Sequence, residues 1–153
     1  MVVHPKSIVH SFVQFRDGSL MAQLGAPDMR LPIQYALTYP ERWELPMERV
    51  DLTAVGKLEF FAPRFDSFPS LRLAYAAGRR GGTAPAILNA ANEVAVPAFL
   101  ARKIDFPGIT RTIETVLEKM SVVDQPSLEQ VIEADRESRR WAEELIARQA
   151  AGR

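Results

Sequence analysis

The chain has 153 residues, and its 19 Lys and Arg balance 19 Asp and Glu, so the formal net charge is zero. Residues 1–64 carry seven charges of each sign and residues 65–153 carry 12 of each, so neither half has the cationic excess that holds a domain to nucleic-acid phosphates or to an anionic membrane. There is no cysteine, which excludes disulfides, thiolate metal sites and cysteine nucleophiles. The 47% apolar and 25% charged content can fill a core. No apolar run reaches the roughly 18 residues of a membrane span. Met1-Val2-Val3 leads directly into His4-Pro5 without the pattern of a signal peptide, so a soluble, cytoplasmic protein or fragment of one or two small domains is expected.

Residues 8–26 read as a β-hairpin. Ile8 to Phe15 is rich in β-branched and aromatic residues, Asp17-Gly18 is a two-residue turn signal, and Leu20 to Ala26 is the return strand. With that turn Arg16 pairs with Ser19, His10 lies opposite Gly25, and Ile8, His10 and Phe12 share one face. Pro32 suits the first turn of a short helix through Leu37 that stops before Pro40. Residues 39–66, with Pro40, Pro46 and Pro63, read as an extended linker with one strand at Lys57–Phe61, and a domain boundary is placed here.

From Ser67 onward the pattern is helical. Ser67 with Pro69 starts one helix and Gly81-Gly82 follow its end. Thr83 begins a second, which Pro97 is expected to kink or split. Ile109, Ile113, Val116, Leu117 and Met120 form the stripe of a third. Ser127-Leu128-Glu129-Gln130 is a capping box that opens a fourth, continued by Val131, Ile132, Trp141, Leu145 and Ile146. Four amphipathic helices with short connections argue for a bundle. A lone two-stranded sheet is marginal in water, so the hairpin reads as the end of something larger.

Candidate chemistry is sparse. The two histidines, His4 and His10, stand six residues apart with Ser7 midway, and neither belongs to a metal-ligand spacing. His10 between Ile8 and Phe12 fits a satisfied, partly buried histidine. Gly25 opposite it fits close approach by a ligand or by backbone. Gly25-Ala26-Pro27-Asp28-Met29 leaves the hairpin beside His10. Met29 there reads equally as polarisable cover for a flat ring or as a core residue. Gly78-Arg79-Arg80-Gly81-Gly82 fits neither phosphate-binding spacing and reads as a helix end with two solvated arginines. Asn89, Asn92 and Glu93 share a helix face; two neutral amides and one carboxylate make a poor metal site and a good hydrogen-bonded network. The charge run from Asp135 to Glu144 reads as a solvated face.

Taken together, His4-Pro5-Lys6-Ser7-Ile8-Val9-His10-Ser11, Asp17-Gly18-Ser19, Ala22-Gln23-Leu24-Gly25-Ala26-Pro27-Asp28-Met29-Arg30 and Leu88-Asn89-Ala90-Ala91-Asn92-Glu93-Val94 resemble, in order and over nearly the whole chain, the 1-deoxy-D-xylulose 5-phosphate reductoisomerase family. That resemblance implies an enzyme of the methylerythritol phosphate route to isoprenoids. Such an enzyme rearranges and reduces its sugar phosphate to 2-C-methyl-D-erythritol 4-phosphate with NADPH and a divalent metal, magnesium, manganese or cobalt. It also implies a homodimer formed through the catalytic domain.

On this resemblance the expected architecture is α+β. Residues 1–38 would be the hairpin and short helix that end an α/β catalytic domain, 39–66 the connector, and 67–153 a C-terminal four-helix bundle. His10 matches an active-site histidine, Ser7 a serine taken as substrate-binding, and Gly25, Pro27 and Met29 the loop near the nicotinamide. The Gly-rich cofactor loop and the acidic metal ligands have no match in this sequence. The chain therefore reads as a fragment, with no metal ligand of its own, no tight cofactor binding and no activity alone. The competing expectation is a non-catalytic interaction module that folds as a bundle and associates through its hairpin.

Overall fold

The computed structural model describes residues 1–151, which form a two-stranded antiparallel sheet and six helices. They divide into two compact units, Met1–Pro63 and Arg64–Arg153. Among the described residues no helix is long and apolar enough to cross a membrane.

In the first unit, β1 (Val9–Gln14) and β2 (Leu20–Leu24) form the hairpin, followed by α1 (Arg30–Thr38) and the one-turn α2 (Leu52–Val55). The expected register is wrong by one residue at the turn. Gln14 pairs with Leu20 and Phe12 with Ala22, because the loop has three residues rather than two. Phe15 N donates to Ser19 O at 2.9 Å, and Gly18 N donates to Phe15 O at 3.0 Å with Gly18 at φ +88°. A turn followed by a left-handed glycine is the usual three-residue hairpin loop. Asp17 fastens it by accepting from Ser19 N at 2.9 Å and Ser19 Oγ at 2.6 Å, bonds that also lower its pKa.

A second shift follows further along. Val9 pairs with Leu24 and Ser11 with Gln23, so His10 is the extra residue of a β-bulge and does not face Gly25. Gly25 N instead donates to Ile8 O at 3.0 Å. The shared face expected for Ile8, His10 and Phe12 is lost with this bulge, which re-aims the histidine.

The strand expected at Lys57–Phe61 is also absent. A strand needs a continuous partner, and only Phe61 finds one, in a single antiparallel bridge with Val3. Asp51 caps α2 by accepting from Thr53 N at 2.8 Å and Ala54 N at 3.3 Å. Val9 is the one buried apolar residue among the described residues of this unit, whereas Val13, Leu20 and Met21 are each more than half exposed. Both faces of the hairpin therefore carry apolar surface that this unit leaves open to solvent.

The second unit is a bundle of α3 (Ser70–Arg80), α4 (Ala84–Leu100), α5 (Phe106–Lys119) and α6 (Leu128–Ala151). Its centre is α4, which packs on each of the other three. Ala84, Ile87, Ala91, Ala95 and Ala98 recur at helical spacing along its buried side, and their small side chains let neighbouring backbones come close. Ile113 and Val116 of α5 and Ala134, Ala142 and Ile146 of α6 complete the core. Buried Ser138 is satisfied within α6 by donating to Ala134 O at 2.6 Å.

The capping box closes as expected: Ser127 N donates to Gln130 Oε1 at 2.9 Å and Gln130 N to Ser127 Oγ at 3.3 Å. One other expectation changes, and Thr83, which begins α4 as expected, gains a role that spacing does not show. α4 runs unbroken through Pro97, because the proline sits in the last turn and the helix still closes with Ala101 N donating to Pro97 O at 2.9 Å. Thr83 makes no side-chain cap bond. Fully buried, it accepts from Val123 N through Oγ1 at 3.0 Å and gives its own N–H to Val123 O at 3.1 Å, linking two loops of the bundle.

On the polar face of α4, Asn89 and Glu93 form a network, as their residue types suggested. Asn89 Nδ2 donates to Glu93 Oε1 at 3.2 Å, Glu93 pairs with Arg139 of α6, and Arg139 Nε donates to Asp135 Oδ2 at 2.7 Å. The hydrogen bond from Arg139, then that from Asn89, lowers the Glu93 pKa below its ordinary 4.5. A carboxylate whose pKa is depressed on folding adds stability above its unfolded pKa, and that contribution is lost as pH falls through the folded value. Below pH 4.5 the α4–α6 contact is thus expected to weaken, by a modest amount because the pair is exposed. Urea midpoints read by helical circular dichroism at neutral and acid pH check this: Glu93→Gln should flatten the acid limb, and an unchanged limb would contradict the link.

Candidate functional site

The bulge at His10 and the turn before β1 set up the site. Ser7 closes a turn by donating its N–H to His4 O at 3.1 Å, and it sits at φ +49°, a left-handed backbone that side-chain-bearing residues seldom adopt. His10, bulged out of the ladder, points Nε2 at Ala26 O, 3.4 Å away. A carbonyl only accepts, so the ring nitrogen is the donor in this long contact. On the other strand, Gly25 through Met29 forms a tight exit from β2, with Asp28 N donating to Ala26 O at 2.8 Å.

Asp28 caps the next turn by accepting from Arg30 N at 2.9 Å and from Arg30 Nε at 2.9 Å. The Arg30 hydrogen bonds hold its carboxyl below the usual range, so it stays ionised and already engaged. Met29 stands at the start of α1 with 70% of its surface exposed.

Ser7, His10, Pro27 and Met29 line one cleft of about 620 Å³. Tyr35 and Arg42 line it too, the Arg42 guanidinium stacked 4.1 Å from the centre of the Tyr35 ring. Exposed Met29 is not a core residue, and exposed His10 is not the partly buried histidine that its strand position suggested. Gly25 does not line this cleft. It lies in a neighbouring groove with Trp43 and Leu45, where an added Cβ would come 3.3 Å from Gln23 Nε2.

Tyr35 and Arg42 were not singled out from the sequence. Leu31 and Tyr35, four apart on α1, carried a usable signal as one helix face; Arg42 carried none, because its place depends on the chain turning back after α1.

The cleft offers a polarisable methionine, a proline, a hydroxyl, an imidazole donor and a stacked cation, a set suited to a flat ring beside a polar substrate. No group of three or more His, Cys, Asp or Glu among the described residues could hold a metal ion. The Asn89–Glu93 face is spoken for by Arg139, whose charge opposes a cation there. Residues 78–82 end α3 as a helix terminus, with Arg80 paired to Asp124 and Arg79 over the Tyr75 ring.

A family model for the DXP reductoisomerase C-terminal domain matches residues 24–141. The 1-deoxy-D-xylulose 5-phosphate reductoisomerase of Desulfitobacterium hafniense is 54% identical over 147 residues, covering 95% of this chain and 38% of that protein. That of Heliobacterium modesticaldum is 51% identical over 146 residues, covering 95% of this chain and 37% of that protein. Among solved structures, the reductoisomerase from Zymomonas mobilis in complex with NADPH superposes with a TM-score of 0.87 at 44% identity, over 95% of this chain and 38% of that one. A DOX-P reductoisomerase in complex with NADPH, fosmidomycin and magnesium gives 0.89 at 41% identity, again over 95% of this chain and 38% of that one. This chain thus spans a little over a third of the length of the relatives it matches. With the family model matching over three quarters of its residues, the chain belongs to the DXP reductoisomerase C-terminal domain family.

Proposed function

We propose that these residues form the C-terminal part of an NADPH-dependent 1-deoxy-D-xylulose 5-phosphate reductoisomerase, an enzyme that rearranges and reduces its sugar phosphate to 2-C-methyl-D-erythritol 4-phosphate. The supporting observation is the single cleft that gathers Ser7, His10, Pro27 and Met29 from two separate stretches of chain. Residues 1–38 then end a catalytic domain, 39–66 connect, and 67–153 form the bundle, in a cytoplasmic homodimer built through the catalytic domain.

The cleft fits a nicotinamide ring. Met29 and Pro27 offer it apolar, polarisable surface. When bound, NADPH supplies the hydride. His10 orients the substrate and exchanges a proton with it through Nε2, at the expense of its weak contact with Ala26 O. The Ser7 hydroxyl donates to a substrate oxygen. Magnesium, manganese or cobalt does not fit the residues described here, so its ligands belong to another part of such an enzyme and no step is assigned to it.

The test is a chimera in which this chain replaces the matched segment of the Desulfitobacterium hafniense enzyme. NADPH oxidation dependent on the sugar phosphate is expected from the chimera and not from the 153-residue chain alone. A folded but inactive chimera, or turnover by the isolated chain, would contradict the reading. The open apolar faces of the hairpin favour a second reading, an interaction module that pairs through β1 and β2. An inactive chimera together with a dimeric isolated chain would move the balance to that module.

A further inference from the structure

We propose that His4 is a positioning residue that holds Ser7 in its cleft-facing conformation by tying the 4–7 turn to residues 55–61. The proposal rests on the reading of the cleft as the substrate and cofactor site. Ser7 sits at φ +49°, and a residue bearing a side chain stays in that region only where its surroundings over-determine it.

The surroundings here are three ties across some fifty residues of sequence. His4 Nδ1 lies 2.8 Å from Glu59 O, and its ring stacks on Phe60 with centres 4.9 Å apart. Lys6 Nζ donates to Val55 O at 2.7 Å. Val3 and Phe61 exchange backbone hydrogen bonds of 2.8 and 2.9 Å. Val3, His4 and Lys6 are each fastened to the same distant segment, and Ser7 N donates to His4 O.

Histidine suits this post because it combines a flat ring with a donor at Nδ1. Since Glu59 O only accepts, Nδ1 carries the proton, and Nε2 is left as a bare acceptor. That nitrogen is buried with no hydrogen-bond partner among the described residues. His4 lines a different groove, with His10, Phe12 and Phe60, and not the cleft that holds Ser7 and Met29, so its route to that cleft runs through Ser7.

The experiment uses the 153-residue chain with ¹⁵N and ¹³C labels, with no cofactor or substrate present. His4→Phe keeps the stack and removes the donor; His4→Asn restores a donor close to the place of Nδ1. In H4F, hydrogen exchange at the Ser7 amide should speed up about tenfold, the scale of one lost hydrogen bond, and the Ser7 Cα shift should leave its left-handed value. The ladder amides of β1 and β2 should not change, and H4N should recover most of the protection. An unaltered Ser7 in H4F, an H4N variant as unprotected as H4F, or loss of the hairpin amides together with Ser7 would each overturn the proposal. Because nothing in this readout needs NADPH or turnover, its failure leaves the proposed function standing, and an inactive chimera leaves the His4 tie standing.

Discussion

Replacing Gly82 with alanine is expected to cost the helical unit about 3 kcal/mol, the sum of a left-handed backbone penalty and a disrupted, part-buried hydrogen-bond pair. Gly82 sits at φ +57° in the turn between α3 and α4. A Cβ there would lie well inside contact with the Val123 carbonyl oxygen and 3.3 Å from Val122 Cγ1. That carbonyl accepts from Thr83 N, and Val123 N in turn donates to Thr83 Oγ1. The intruding methyl therefore strikes the two-bond link that joins this turn to the α5–α6 loop, and backbone cannot swing aside as a flexible side chain can.

Neighbouring glycines provide the controls. Gly81 has open space around its Cβ position, but φ +66° with ψ −152° is a backbone region essentially reserved for glycine, so Gly81→Ala should cost backbone strain alone, about 1–3 kcal/mol. Gly78 lies inside α3 with nothing within 4 Å, and Gly78→Ala should stabilise by roughly 0.5–1 kcal/mol. Chemical denaturation followed by helical circular dichroism ranks the three. A loss at Gly82 of only about 1 kcal/mol, the bare left-handed penalty, would show that the contact with Val123 carries no weight.

On the proposed function, His10→Ala in the chimera should lower kcat by about 100-fold, at the low end of what a positioned proton-transfer group contributes. The argument is geometric. His10 is the residue that the bulge pushes out of the ladder, its Nε2 holds only a 3.4 Å contact, and it shares the cleft with Met29 and Pro27. A group so lightly held can turn to a substrate without breaking a strong bond. Met29→Ala in the same background should instead raise the KM for NADPH several-fold, because it removes apolar cover and no donor. Steady-state kinetics separate the two outcomes. A His10→Ala chimera with parental kcat would remove the histidine from the reaction.

Much of this molecule was legible in short stretches of chain. The hairpin, α1, the four bundle helices and the capping box at Ser127 follow from turn chemistry, apolar periodicity and reciprocal side-chain bonds within a few residues. Asn89 and Glu93 were legible as a hydrogen-bonded face by spacing alone, although their partner Arg139 was not. The likeness of the His4–Ser11 and Ala22–Arg30 stretches to one family pointed to Ser7, His10, Pro27 and Met29 before any geometry was known.

Where expectation failed, the cause was an interaction that spacing does not encode. Asp17-Gly18 announces a turn but not its length. One extra loop residue and one bulge moved His10 off Gly25, because a strand's side-chain period of two turns each slip into a change of face. Thr83 begins α4 as its place in the chain indicated, but its buried cross-link to Val123 could not be read from spacing. Lys57–Phe61 has strand composition but meets only Val3, so one bridge forms and no ladder. Local residue chemistry was thus enough for the hairpin, α1 and the four bundle helices, and for the family they resemble, but not for the one-turn α2. Register, the cleft shared by Ser7 and Met29, and the tie from His4 to Glu59 arise only on folding, since each pairs groups that a linear reading keeps apart and whose energy exists only once they touch.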